Sequence, residues 1–285
     1  MKRVVNIIAL LTIVFAASVL SPSCTERIDI DLAGTYTRAV IFGGITSDTT
    51  SHMVRITRTT DYFNPEGSLG ISGADVRIWD GENEFILTED PDEPGVYLTE
   101  PTVYGLPGRT YTLFVDNVDL LGDGILKSFE ATSEMLPVAN PDSIIVEYRE
   151  LWQGWVVQAF AQDPPETEDF YKFLIYQNGK LHSDSLQNII ITDDVFFNGS
   201  YTNGVVIYYV GGEEGFNAGD TITAAFCGIT QDYYKYLIEA QTTSRPSVPL
   251  FSAPPANPRS NINNDAIGYF SAYSVSSATA IIKEE

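Results

Sequence analysis

The chain has 285 residues, 44% of them hydrophobic and 12% aromatic, and a formal net charge of −22 at pH 7. Length and apolar content together exclude a disordered tail and provide for about two domains. The negative field excludes nucleic acid and anionic bilayer surfaces as partners and favours solubility at a crowded cell surface.

The chain opens with an address. Lys2-Arg3 precede an apolar run that ends at Ser21-Pro22-Ser23-Cys24. A membrane-crossing helix needs roughly 20 apolar residues without a breaker, and Pro22 closes this run early. Residues 1–23 therefore read as a signal peptide, and Cys24 as the lipidated first residue of a mature lipoprotein. A plain secretory cut near Ala17 is the other reading of the same run. Residues 24–34 form an acidic tether, whose Ile28-Asp29-Ile30-Asp31-Leu32 alternation suits a linker, a first edge strand or a sorting signal.

Residues 35–136 carry the pattern of an all-β domain. Val54 and Ile56 alternate with Arg55 and Thr57, Val76 and Ile78 flank Arg77, and Tyr111, Leu113 and Val115 alternate with Thr112 and Phe114. Such alternation puts one face of each strand in a core. Turn chemistry punctuates it at Asn64-Pro65-Glu66-Gly67, Asp80-Gly81, Glu93-Pro94-Gly95, Leu106-Pro107-Gly108 and Gly122-Asp123-Gly124. About seven short strands at this spacing predict a sandwich of immunoglobulin-like or transthyretin-like shape. Pro137 to Pro141 is the expected hinge.

A second β-rich domain is expected over 142–285. Strands are predicted at 143–148, 155–161, 170–176, 188–191, 205–210 and 221–227, with Asn178-Gly179 as a hairpin signal. The period then changes. Tyr233, Tyr236, Leu237 and Ala240 recur at helical spacing behind Thr230 and Asp232, so one amphipathic helix is predicted near 230–243. A long Pro/Asn/Ser stretch, 245–265, leads to one or two closing strands over 266–282. The fold class is thus all-β: two β-sandwich-like domains behind a lipoprotein signal peptide.

Several of these stretches together resemble one family. The Ser23-Cys24 junction with Ile28–Leu32, then Ile56–Phe63, Ile71–Val76, Leu106–Leu113 and Ile267–Ser274, are similar in content and order to the Bacteroidota outer-membrane lipoproteins of domain-of-unknown-function family 4249. The resemblance spans nearly the whole mature chain and implies an outer-membrane lipoprotein, often encoded beside a TonB-dependent receptor, with no assigned catalytic or ligand residues. Ser21 and Pro22 depart from the pattern before the cysteine and bear on lipid attachment, not on the fold.

Candidate sites are few. Tyr148, Trp152 and Trp155 sit around one turn and form either a platform for a sugar or partner or a cover for the sheet end. Phe251 and Arg259, in the long segment 246–265, suit either a recognition loop or a packed connection. Asp90–Glu93, Asp116–Asp123 and Asp193-Asp194 are acidic enough for calcium, but none has the spacing of a calcium-binding loop, so they read as solvated turns. Cys227, in Thr221–Cys227, reads as a small thiol buried by a strand. His182-Ser183-Asp184 reads as a polar loop, because a catalytic triad is defined in space, and no serine elbow or zinc-binding helix is present.

The expectation is therefore a protein that is not an enzyme and needs no cofactor or metal, anchored at Cys24 to the outer membrane, facing the periplasm or the cell surface. It would act as a binding or docking accessory of a TonB-dependent transporter, with a peptide or glycan of unspecified identity as ligand. One alternative is a fimbrillin-like structural or adhesive subunit, processed at Arg27 or Arg38. Another is a surface-polymer hydrolase using paired carboxylates, whose spacing only three dimensions reveal.

Overall fold

The computed structural model describes residues 37–60, 69–211, 215–245 and 257–283. The signal segment, Cys24, the tether, the Asn64–Gly67 turn and Phe251 lie outside the described residues. The described chain is mostly β with one α-helix, and Thr37–Glu285 forms one compact unit.

Eight strands make the first half: β1 (Ala39–Thr46), β2 (Met53–Arg58), β3 (Leu69–Gly70), β4 (Asp75–Trp79), β5 (Glu84–Glu89), β6 (Val96–Leu98), β7 (Thr110–Asp119) and β8 (Leu126–Glu134). Their period-two patterns set the buried side. Val76 and Ile78 of β4 and Tyr111, Leu113 and Val115 of β7 all point into the core. Strand β5 pairs with β4 over its first residues and with β6 at Thr88 and Glu89, so the sheet turns a corner there. Ile41, Ile45 and Ile56 on one side then meet Ile78, Leu113 and Val115 on the other, with at most 1% exposure each.

The second half contains β9 (Pro141–Arg149), β10 (Gly154–Ala161), β11 (Phe170–Gln177), β12 (Lys180–Leu181), β13 (Ile190–Asp193), β14 (Val205–Gly211), β15 (Thr221–Ile229), α1 (Gln231–Thr243) and β16 (Ile267–Ile281). The strand expected at 188–191 begins two residues later. Leu186–Asn188 instead closes a 3-10 turn in which the Asn188 amide donates to the Ser185 carbonyl. Strand β9 begins at Pro141, inside the expected hinge.

Strand β16 decides the architecture. Residues 267–273 run parallel to β1, and residues 274–281 run antiparallel to β15. A mixed 13-stranded sheet results, ordered β12-β11-β15-β16-β1-β2-β6-β5-β4-β7-β8, with β13 on β11 and β3 on β2. It runs across the expected boundary at 137–141. A separate three-stranded sheet, β14-β10-β9, covers its second-half end. The parallel joint needs Gly268, whose φ is +113° and where a Cβ would collide with the Ile41 carbonyl.

Helix α1 covers the opposite face of β11, β15 and β16. The Thr230 hydroxyl accepts from the Tyr233 amide and Asp232 sits in the first turn, as capping chemistry requires. Below it Tyr233 stacks on Tyr269, Tyr236 lies tilted against the same ring, and the buried Lys172 ammonium lies 3.7 Å from the centre of the Tyr273 ring. The faces of Tyr233 and Tyr273 meet that cation, and no carboxylate pairs with it among the described residues. Among the described residues no helix is long and apolar enough to cross a membrane.

Candidate functional site

The small sheet and the end of the large sheet enclose a second core. Near its middle Val157, Ile175, Ile222 and Ala224 are fully buried. Further along β10 the inward positions become Ala159 and Ala161, which reach less far than Val157, and the two sheets no longer meet. A cavity of about 240 Å³ opens there. Phe173 and Phe226, packed edge to face at 5.0 Å, form one wall, and residues of β13 and β14 form the others. Ile190 and Val205 are 38% and 39% exposed and mark the mouth.

Polar groups in this lining are nearly all committed. The Thr202 hydroxyl accepts from the Ala161 amide and donates to the carbonyls of Ala159 and Ala161, and the Thr192 hydroxyl donates to the Asp193 carbonyl. Asp163 is the one carboxylate among the described residues that line the cavity. It continues the inward register of Val157, Ala159 and Ala161, and it is 2% exposed.

Asp163 is not alone. It stands with Asp169, just before β11, and Asp194, just after β13, with one carboxylate oxygen of each within 4.8 Å of the others. The Tyr171 hydroxyl donates to Asp163 Oδ1 at 2.7 Å and the Gly199 amide to Oδ2 at 3.1 Å. Asp194 Oδ2 accepts from the Asp169 amide, and Asp169 Oδ2 accepts from the Thr167 hydroxyl. Every one of these donors is neutral. Among the described residues no arginine or lysine forms an ion pair with the three acids. Burial first, and then the Asp163 and Asp194 charges, push the Asp169 carboxyl above its usual range against the Thr167 bond. Burial and the same acids raise the Tyr171 phenol. Three oxygen donors of this kind are the described set that suits a hard divalent cation such as calcium.

The residues singled out in the sequence lie elsewhere. Tyr148 and Trp155 meet edge to face at the end of the second core, where Trp155 also contacts Phe216. Trp152 instead meets Tyr209 edge to face, under the Arg149 guanidinium, and its carbonyl accepts from the Tyr209 hydroxyl. The three aromatics are thus divided between two ring clusters. Arg259 clasps helix α1, with Nη1 on Asp232 at 2.8 Å and Nη2 on Glu239 at 2.7 Å. It pins the connection between α1 and β16. Cys227 is buried and free, and burial pushes its thiol up to about 11 despite the opposing charge of Lys172. His182 Nδ1 is bonded to the Tyr208 hydroxyl, while the buried Ser183 hydroxyl accepts from the Ile175 amide, so the His-Ser-Asp run forms no relay.

Of the acidic runs expected to be solvated turns, only Asp193-Asp194 contributes to a cluster among the described residues, through Asp194, and its partners Asp163 and Asp169 come from the turn between β10 and β11. The parity of Asp163 with Val157, Ala159 and Ala161 is the signal that points it inward. Asp119 folds back on its own turn, accepting from the amides of Gly122, Asp123 and Gly124.

A family model described as domain of unknown function (DUF4249) matches residues 25–279. No curated protein matches the chain.

Proposed function

This chain belongs to the DUF4249 family, and on that footing we propose that it is a non-catalytic lipoprotein. It is anchored to the outer membrane through Cys24 and serves as a binding or docking accessory of a TonB-dependent transporter. Each half is read as a β-sandwich-like module, the first immunoglobulin-like or transthyretin-like. The observation that carries the binding role is the cavity between the two second-half sheets. An apolar recess with a few placed polar groups is the common form of a binding site. The one hydroxyl–carboxylate pair among its described lining residues, Tyr171 on Asp163, has a phenol that burial and the acids push up, and the thiol of Cys227, at about 11, is protonated at neutral pH on the other side of the sheet. The fimbrillin-like alternative has less support. Processing at Arg38 would free a strand for exchange, but β1, which follows it, is held on both sides by β2 and β16.

Two measurements test this reading. Affinity purification from membranes in gentle detergent should recover a TonB-dependent receptor, and a clean monomer would overturn the docking role. Mass spectrometry of the mature amino terminus should find acylated Cys24. A chain starting at Ile28 or Ala39 favours the fimbrillin-like reading.

A further inference from the structure

We infer that the second-half cavity takes a small organic cation, an ammonium group on an apolar body of one ring or about six carbons. This rests on the reading of the cavity as a binding site and is independent of the transporter. Size comes first. An apolar cavity of about 150 Å³ seats benzene, and this one, at about 240 Å³, has room for such a body and a head group. The walls decide the body. Phe173, Phe197, Phe226 and the aliphatic chains of β13 and β14 offer dispersion contacts and little else.

Charge decides the head. Asp163 faces the cavity with Asp169 and Asp194 beside it, all their hydrogen-bond donors are neutral, and no basic side chain forms an ion pair with them among the described residues. Carboxylates this buried are costly unless a cation meets them. An ammonium supplies the missing charge and up to three donors, so the spare lone pairs of the trio gain partners on binding. A fatty acid or phosphate ester meets repulsion at the same place. A sugar fares no better, because the Thr192 and Thr202 hydroxyls are bonded to backbone and its own hydroxyls would go unsatisfied.

Calorimetry on the purified full chain tests this with three probes of one shape: phenethylammonium, 2-phenylethanol and 3-phenylpropanoate. Phenethylammonium should bind about tenfold or more tighter than the alcohol, the weight of one charge-assisted hydrogen bond, and the propanoate should not bind. Asp163→Asn should bring the ammonium down to the level of the alcohol, and Ala161→Phe, which fills the recess, should abolish both. Equal affinity for ammonium and alcohol in the unaltered chain overturns the inference whether or not the variants fold, as does no binding of any probe. Calcium chloride provides the remaining arm. Stabilisation by calcium that is lost in Asp194→Asn, with no competition from phenethylammonium, would make the trio a metal site and overturn the organic-cation assignment. These failures concern the cavity's ligand, whereas failure to recover a receptor concerns docking, so the two are told apart.

Discussion

The two halves use the same material, short strands with one apolar face, and end in opposite states. In the first half long aliphatic chains from facing sides interlock, and its buried acid is fully answered. Asp80, 6% exposed, accepts from the amides of Glu82 and Asn83 and from Arg109 Nη1 at 2.7 Å. In the second half two alanines on β10 leave a cavity, and three acids gather with no ion-pairing base among the described residues. A buried charge that is paired is scaffold, and one that is left waiting marks a place for something else to bind.

The largest expected effect breaks the first half. Ile78→Ala removes a fully buried side chain from the first core and should cost about 3 kcal/mol in denaturant unfolding. Ile190→Ala, at the cavity mouth, should cost less than about 1 kcal/mol. Equal losses would abolish the distinction between a packed and an open half.

The joint between the halves comes next. Gly268→Ala puts a side chain at positive φ against the Ile41 carbonyl and should cost about 2 kcal/mol or more. Thermal melts should then resolve two transitions where the unaltered chain has one. A single unshifted transition would mean that β16 does not couple the two cores.

The acids sharpen the comparison through pH. Burial works against the Asp80 carboxylate, but the amides of Asn83 and Glu82, the Asn83 side chain and Arg109 outweigh it and hold the group below 3.8. A lowered folded value means stability that is complete above the unfolded value and lost as pH falls through the folded one. Asp80→Ala should cost about 2 kcal/mol at pH 7 and progressively less below pH 3.8. Asp169 has the opposite sign. Its raised value makes the ionised form a burden at neutral pH that vanishes as pH falls below the unfolded value. Asp169→Asn should therefore stabilise the chain at pH 7, by no more than about 1 kcal/mol, and leave it unchanged in acid. Melts at both pH values check the pair of signs.

Much of the local structure was legible. Helix α1 was visible from Tyr233, Leu237 and Ala240 behind a Thr230 cap, and β4 and β7 from strict alternation. The site was not legible in the same way. Trp152 and Trp155 drew attention because aromatics at a turn are conspicuous, yet they belong to separate ring clusters. Arg259 looked available in a long polar stretch and is spent on Glu239 and Asp232, residues 20 and 27 positions away.

By itself the sequence determined the β-rich class, several of the strands and where one helix starts, because alternation, turn residues and caps act over a few positions. It also fixed the deep negative charge. Tertiary structure alone decided that β16 lies parallel to β1, more than two hundred residues earlier, that Asp163, Asp169 and Asp194 share one place, and that a cavity opens beside them. Strand pairing across such separations and the volume left between two sheets depend on side-chain lengths from several strands at once, and no local pattern encodes that sum.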